Sequence, residues 1–80
     1  MKIRVHVTLK NGVLDPQGKA ISNALGSLGF TGVNNVRQGK FIEIDVAESN
    51  PDKARATAET MCRKLLANTV IEDYRIDLDV

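Results

Sequence analysis

Few side chains in these 80 residues are of a type that does chemistry on its own. Cys62 is the single thiol and His6 the single imidazole. A nucleophilic cysteine needs its pKa depressed by a base, a cation or a helix N-terminus. Cys62 instead falls on an apolar helical stripe with Ala54, Ala58, Met61 and Leu65, where a thiol behaves as a small hydrophobe. It has no Cys-x-x-Cys partner, which a metallochaperone would use. His6 alternates outward on a strand and is expected at the surface, with no nucleophile to activate. One histidine and one cysteine make a poor metal inventory. No catalytic, cofactor-binding or metal-ligating residue is therefore expected.

The remaining candidates are polar and lie near glycines. In Asn11-Gly-Val-Leu-Asp-Pro-Gln-Gly18, Asp15 can accept a backbone N–H at a helix start, and Pro16 loses no needed donor at the first helical position. Gly18 is not explained by capping and costs the helix about 0.5–1 kcal/mol against Ala. Close approach of another backbone would explain it, and free N–H groups at that helix start could hold an anion. Gly39-Lys40 reads as a two-residue hairpin turn, and Arg37 beside it puts two cations at an exposed tip, suited to an acidic partner or a phosphate. Asp15, Gln17, Gly18, Arg37, Gly39 and Lys40 are thus the candidate protein-interaction residues. Arg37 with Asn34 or Asn35 also forms part of an acylphosphatase inventory, but no Gly-rich loop joins them.

The elements that must position these residues follow from periodicity. Residues 2–10 alternate strictly, with Ile3, Val5, Val7 and Leu9 on one face, so they form a strand buried on one side. Asp15-Pro16 and Asn50-Pro51 each open a helix. Ala20, Ile21, Ala24, Leu25 and Leu28 form the stripe of the first, and Gly29 suits a left-handed stop. Residues 33–38 and 41–46 read as a strand pair. The first is irregular because of Asn34 and Asn35, and is expected at an edge or a bulge. A last strand runs from about Glu72 to the end, with Tyr74, Ile76, Leu78 and Val80 facing in. The order is β-α-β-β-α-β. The expected fold is α+β and ferredoxin-like, a four-stranded antiparallel sheet with two helices on one face, in one domain spanning residues 1–80.

The uncovered face of that sheet would set Lys2, Arg4, His6, Thr8 and Lys10 between acidic neighbours, giving cross-strand ion pairs. RNA-recognition domains stack bases on aromatics of the central strands, and Phe41 is the one outward aromatic there. With 11 basic and 10 acidic residues the net charge is +1, so nothing favours nucleic acid or a membrane surface. No apolar run approaches a bilayer span, and the start lacks a signal-peptide core. A cytoplasmic chain with a reduced Cys62 is expected. A thin core, with no disulfide or metal, leaves a self-partner as the stabiliser.

The stretches Val13-Leu-Asp-Pro-Gln-Gly18, Ala24-Leu-Gly-Ser-Leu-Gly-Phe30, Val36-Arg-Gln-Gly-Lys40, Met61-Cys-Arg-Lys-Leu-Leu-Ala-Asn68 and Val70-Ile-Glu-Asp-Tyr74, in order and at this spacing, resemble the PurS subunits of phosphoribosylformylglycinamidine synthase over essentially the whole chain. The resemblance implies a non-catalytic accessory subunit of de novo purine biosynthesis. It implies a homodimer or tetramer that bridges a synthetase and a glutaminase subunit and supports ammonia transfer. ATP and glutamine would be used by the complex, with no cofactor on this chain. The competing reading on the same fold is an ACT-like regulatory module that binds a small molecule.

Overall fold

The computed structural model describes residues 1–79, so the inward placement expected of Val80 lies outside the described residues. The elements are β1 (Lys2–Leu9), α1 (Pro16–Ser27), β2 (Gly39–Asp45), α2 (Pro51–Met61) and β3 (Glu72–Asp79); a π-helical turn, Cys62–Leu66, continues α2. Both expected caps form. Asp15 accepts from the Gly18 amide ahead of α1, and Asn50 accepts from the Asp52 and Lys53 amides ahead of α2. Gly29 adopts φ +95° at the end of α1. There the Phe30 and Gly29 amides return to the Leu25 and Gly26 carbonyls, closing a Schellman motif.

The sheet has the order β2-β1-β3, with both pairings antiparallel. Ile3 lies between Ile44 and Leu78, and Val5 between Ile42 and Ile76, so the apolar alternation of all strands falls on one face. α2 packs on that face over β1 and β3. Ala54, Ala58 and Cys62 are fully buried there against Ile3, Val5, Val7 and Ile76. These small residues at i, i+4 and i+8 let the helix sit close to the strands.

The four-stranded, ferredoxin-like expectation is overturned in three respects. The sheet has three strands, because residues 33–38 form no strand. Asp15 takes the Gln38 amide through Oδ2 at 3.0 Å, and the Val36 carbonyl lies against Gly18, so this segment packs on the start of α1 instead of on β2. Gly39 and Lys40 are not a hairpin turn. They begin β2, opposite Thr8 and Val7, and with no strand before them there is no hairpin to close. Finally, α1 does not join α2 in covering the sheet. In α1 only Gly18 is buried, and Leu28 is 74% exposed, so α1 stands off the sheet that α2 covers.

Candidate interaction surface

The candidate residues come from two stretches of sequence, and the fold brings them to one place. The Asp15 carboxylate joins them. Its Oδ1 accepts the Gly18 amide at 2.8 Å and its Oδ2 the Gln38 amide at 3.0 Å. These two bonds, first Gly18 and then Gln38, hold its carboxyl below the ordinary aspartate range. Arg37 Nη1 donates to Asn11 Oδ1 at 2.6 Å, fastening the same two stretches further out. A polar cleft of about 510 Å³ opens beside Asp15, Arg37, Lys10, Lys19 and Asn34. A smaller one of about 230 Å³ is bordered by Gln17, Gly39, Lys40 and Glu72. Lys40 Nζ lies 3.8 Å from the Glu72 carboxylate.

Two of the reasons for suspecting these residues change with the geometry. The close backbone approach expected at Gly18 is present, and its source is internal: the Val36 carbonyl. Gly39 likewise faces the Val7 carbonyl of the adjacent strand. The anion expected at the α1 start has a built-in substitute, since the Asp15 carboxylate already occupies that end of the helix.

On the outer sheet face the expected cross-strand pairs form. Lys2 reaches Glu43 at 3.3 Å, Arg4 reaches Asp79 at 3.2 Å and His6 Nε2 lies 3.3 Å from Asp77 Oδ2. The His6 ring also lies against Phe41, with centroids 4.9 Å apart. Cys62 is fully buried, and burial, assisted by nearby Glu59, pushes its thiol pKa up. This is the opposite of what a nucleophile needs. Among the described residues no group of three His, Cys, Asp or Glu side chains could hold a metal ion. No helix there is long and apolar enough to cross a membrane.

Sequence reasoning missed the apolar surface. Leu65, placed on the α2 stripe, is 84% exposed. Beyond Cys62 the chain becomes π-helical, the Ala67 amide bonding the Cys62 carbonyl, and Leu66 rather than Leu65 packs against the core. Leu65 and Met61 instead line an open groove of about 590 Å³ with Ile44, Leu66, Thr57 and Thr60. The signal available in sequence was the tandem Leu65-Leu66, which one helical stripe cannot bury together.

What this architecture defines is a small two-layer α+β subunit with a thin core and more apolar surface than it covers itself. Comparison with known proteins makes the assignment particular. The sequence pattern of PurS, described as phosphoribosylformylglycinamidine (FGAM) synthase, matches residues 2–80. The PurS subunit of that synthase from Bacillus subtilis is 49% identical over 98% of this chain and 92% of its own length. That from Methanocaldococcus jannaschii is 45% identical over 98% and 94%. The solved B. subtilis PurS superposes with a TM-score of 0.86 at 47% identity, covering 99% of this chain and 98% of that one. A chain in the structure described as PurLQS from Thermotoga maritima gives a TM-score of 0.86 at 32% identity, over 95% and 93%. The chain belongs to the PurS family of phosphoribosylformylglycinamidine synthase subunits.

Proposed function

We propose that this chain is a non-catalytic accessory subunit of phosphoribosylformylglycinamidine synthase in de novo purine biosynthesis. It acts as one domain in the cytoplasm, as a homodimer or higher oligomer. It bridges the synthetase subunit and the glutaminase subunit. ATP and glutamine serve the complex, and this chain binds no cofactor. The observation that carries the reading is end-to-end likeness to the T. maritima chain in the structure described as PurLQS. The M. jannaschii relative, described as one of the subunits of formylglycinamide ribonucleotide amidotransferase in the purine biosynthetic pathway, agrees with it.

The chemistry gives a bridging subunit a purpose. Ammonia released from glutamine into water is protonated and diluted. A shielded route between two enzymes held in register keeps it neutral and at high effective concentration. The cleft-lined region around Asp15, Gln17, Gly18, Arg37, Gly39 and Lys40 supplies polar contacts for one of those enzymes, since its charges lie at the surface.

Reconstitution tests the proposal. The synthetase and glutaminase are mixed with and without this chain, and amidine formation is followed with glutamine or with ammonium salt as nitrogen source. The expected result is a glutamine-dependent rate that needs the chain and an ammonium-dependent rate that does not. Equal glutamine-dependent rates in both mixtures, or turnover by the isolated chain, would overturn it.

A further inference from the structure

The positive charges of this chain are unevenly matched. Of its 11 lysines and arginines, Lys2, Arg4, Lys40, Arg63 and Arg75 each reach a carboxylate among the described residues. Lys10, Lys19 and Arg37 form no ion pair there, and all three line the larger polar cleft, of about 510 Å³. One carboxylate lines it with them, that of Asp15, and both its oxygens are engaged by the Gly18 and Gln38 amides. Three cations against one carboxylate leave the cleft two positive charges in excess. A phosphate monoester carries about −1.5 to −2 at neutral pH, which matches that excess.

Three parts of the chain bring these cations together. Lys10 follows β1, Lys19 lies on α1 and Arg37 precedes β2. Lys19 shares its side of α1 with Ser22 and Asn23, away from the stripe of Ile21, Ala24 and Leu28. Arg37 is held by its Nη1 bond to Asn11 Oδ1, which leaves the rest of its fork of donors for a ligand. The other polar side chains of the lining are neutral: Asn11, Ser22, Asn23, Asn34 and Asn35. Carboxamides and hydroxyls both donate and accept hydrogen bonds, as sugar hydroxyls do. Among the described residues no aromatic side chain lines the cleft, so a nucleobase has no ring to stack on. The volume falls within the roughly 300–1,000 Å³ of small-molecule sites, more room than a bare phosphate fills.

We infer that this cleft binds a small phosphorylated sugar, its phosphate held by Lys10, Lys19 and Arg37 and its hydroxyls by the asparagines. The same chemistry is offered by a free sugar phosphate and by the sugar-phosphate end of a nucleotide, and the lack of an aromatic wall favours the first. Among the described residues no histidine or cysteine lines the cleft, so the ligand is held and not transformed. It ties the turn after β1, the start of α1 and residues 34–37 together, and binding to the folded chain alone stabilises it. The bridging role is independent of this site: Gln17, Gly39 and Lys40 border the smaller cleft and stay free for an enzyme.

The experiment titrates the full, isotope-labelled chain with ribose 5-phosphate at neutral pH and low salt, followed by amide NMR. Saturable shifts are expected at Gly12, Lys19 and Arg37, with binding weakened by added salt. Lys10→Gln and Lys19→Gln should each raise the Kd about tenfold. Lys53→Gln, which removes an exposed cation of α2 outside the cleft, should leave the Kd unchanged. The amide spectrum shows whether each variant folds. Ribose and inorganic phosphate should each bind more weakly than ribose 5-phosphate, and adenosine 5′-monophosphate no more tightly. No saturation below about 10 mM, well above the roughly 1 mM at which metabolite sites work, would overturn the inference. So would shifts centred on the outer sheet face, or equal weakening by Lys53→Gln. Inorganic phosphate bound as tightly as the sugar phosphate would reduce the cleft to a nonspecific ion site and defeat it too. Tighter binding of the nucleotide would defeat the choice of a sugar phosphate. None of these outcomes alters the bridging role, which the reconstitution decides.

Discussion

The Val36 carbonyl oxygen stands over Gly18, on the side where any other residue would carry its β-carbon. With the Gln38 amide on Asp15, this approach closes residues 36–38 onto the first turn of α1 and takes the place of the strand pairing that the alternation suggested. Gly18→Ala opposes two effects. The helix gains about 0.5–1 kcal/mol from losing a glycine. The added carbon also meets a backbone carbonyl and the Asp15 carboxylate, and overpacking of this kind costs about 1–3 kcal/mol. The clash should win, with a net loss on the order of 1 kcal/mol in denaturant melts and faster amide exchange at Gln38. A variant more stable than the parent would show that Val36 yields freely.

Asp15 gives a pH dependence with a definite sign. Its two amide bonds lower the folded pKa below the ordinary value of 3.8. The stabilisation is then present above the ordinary value and is lost as pH falls through the lower, folded value. Following the Gly18 and Gln38 amides by NMR from pH 6 to pH 2 should show both bonds weakening in that acid range together. Asp15→Asn keeps an oxygen for Gly18 but turns an N–H donor toward Gln38. It should retain α1 and release residues 36–38 at neutral pH. Independent behaviour of the two amides in the parent would refute a shared carboxylate.

How much of this was legible in the sequence depends on whether the deciding contact was local. β1, both Asx-Pro helix starts and the Gly29 stop rest on neighbours within a few residues, and each formed as expected. That ion pairs such as Arg4 with Asp79 would form on the outer face could also be read, because alternation leaves two faces and acidic residues flank the basic strand on one of them. The strand at 33–38 failed because its fate rests on Asp15 and Gly18, about 20 residues earlier and in another element. The stance of α1 was equally hidden. An apolar stripe gives a helix a face to bury, and does not say that its own sheet takes that face. For the candidate residues, composition and glycines located the cluster around Asp15. They did not reveal that Gly18 and Gly39 serve contacts within the chain, or that Leu65 would face outward.

Cys62 should behave as a core atom. Buried among Ile3, Val5 and Ala58, with its thiol pKa raised, it should react with a disulfide reagent only as fast as the chain opens. Cys62→Ser should cost about 1–3 kcal/mol, since the hydroxyl loses water without a clear replacement. The raised pKa also predicts an alkaline effect. Its contribution is present below the unfolded thiol value and lost as pH rises past it, because the unfolded chain then gives up a proton that the folded chain keeps. Cys62→Ala should flatten that part of the stability profile. Rapid labelling of the native chain at neutral pH would contradict this placement.

The balance between the two sheet faces can be tested by one pair of substitutions. On the outer face, Arg4→Gln removes an ion pair in which both side chains are substantially exposed. Such pairs contribute about 0.2–1 kcal/mol, less in salt. On the inner face, Ala58→Leu pushes a larger side chain between α2 and β1, where Ala58 has no exposed surface. Forcing the helix off the strands should cost about 1–3 kcal/mol or more. The small residues of α2 therefore outrank the charges in holding the two layers together. Urea titrations should show a clear fall in midpoint for Ala58→Leu and a slight, salt-dependent one for Arg4→Gln. The reverse order would mean that the outer face, not the α2 seam, keeps this thin fold closed.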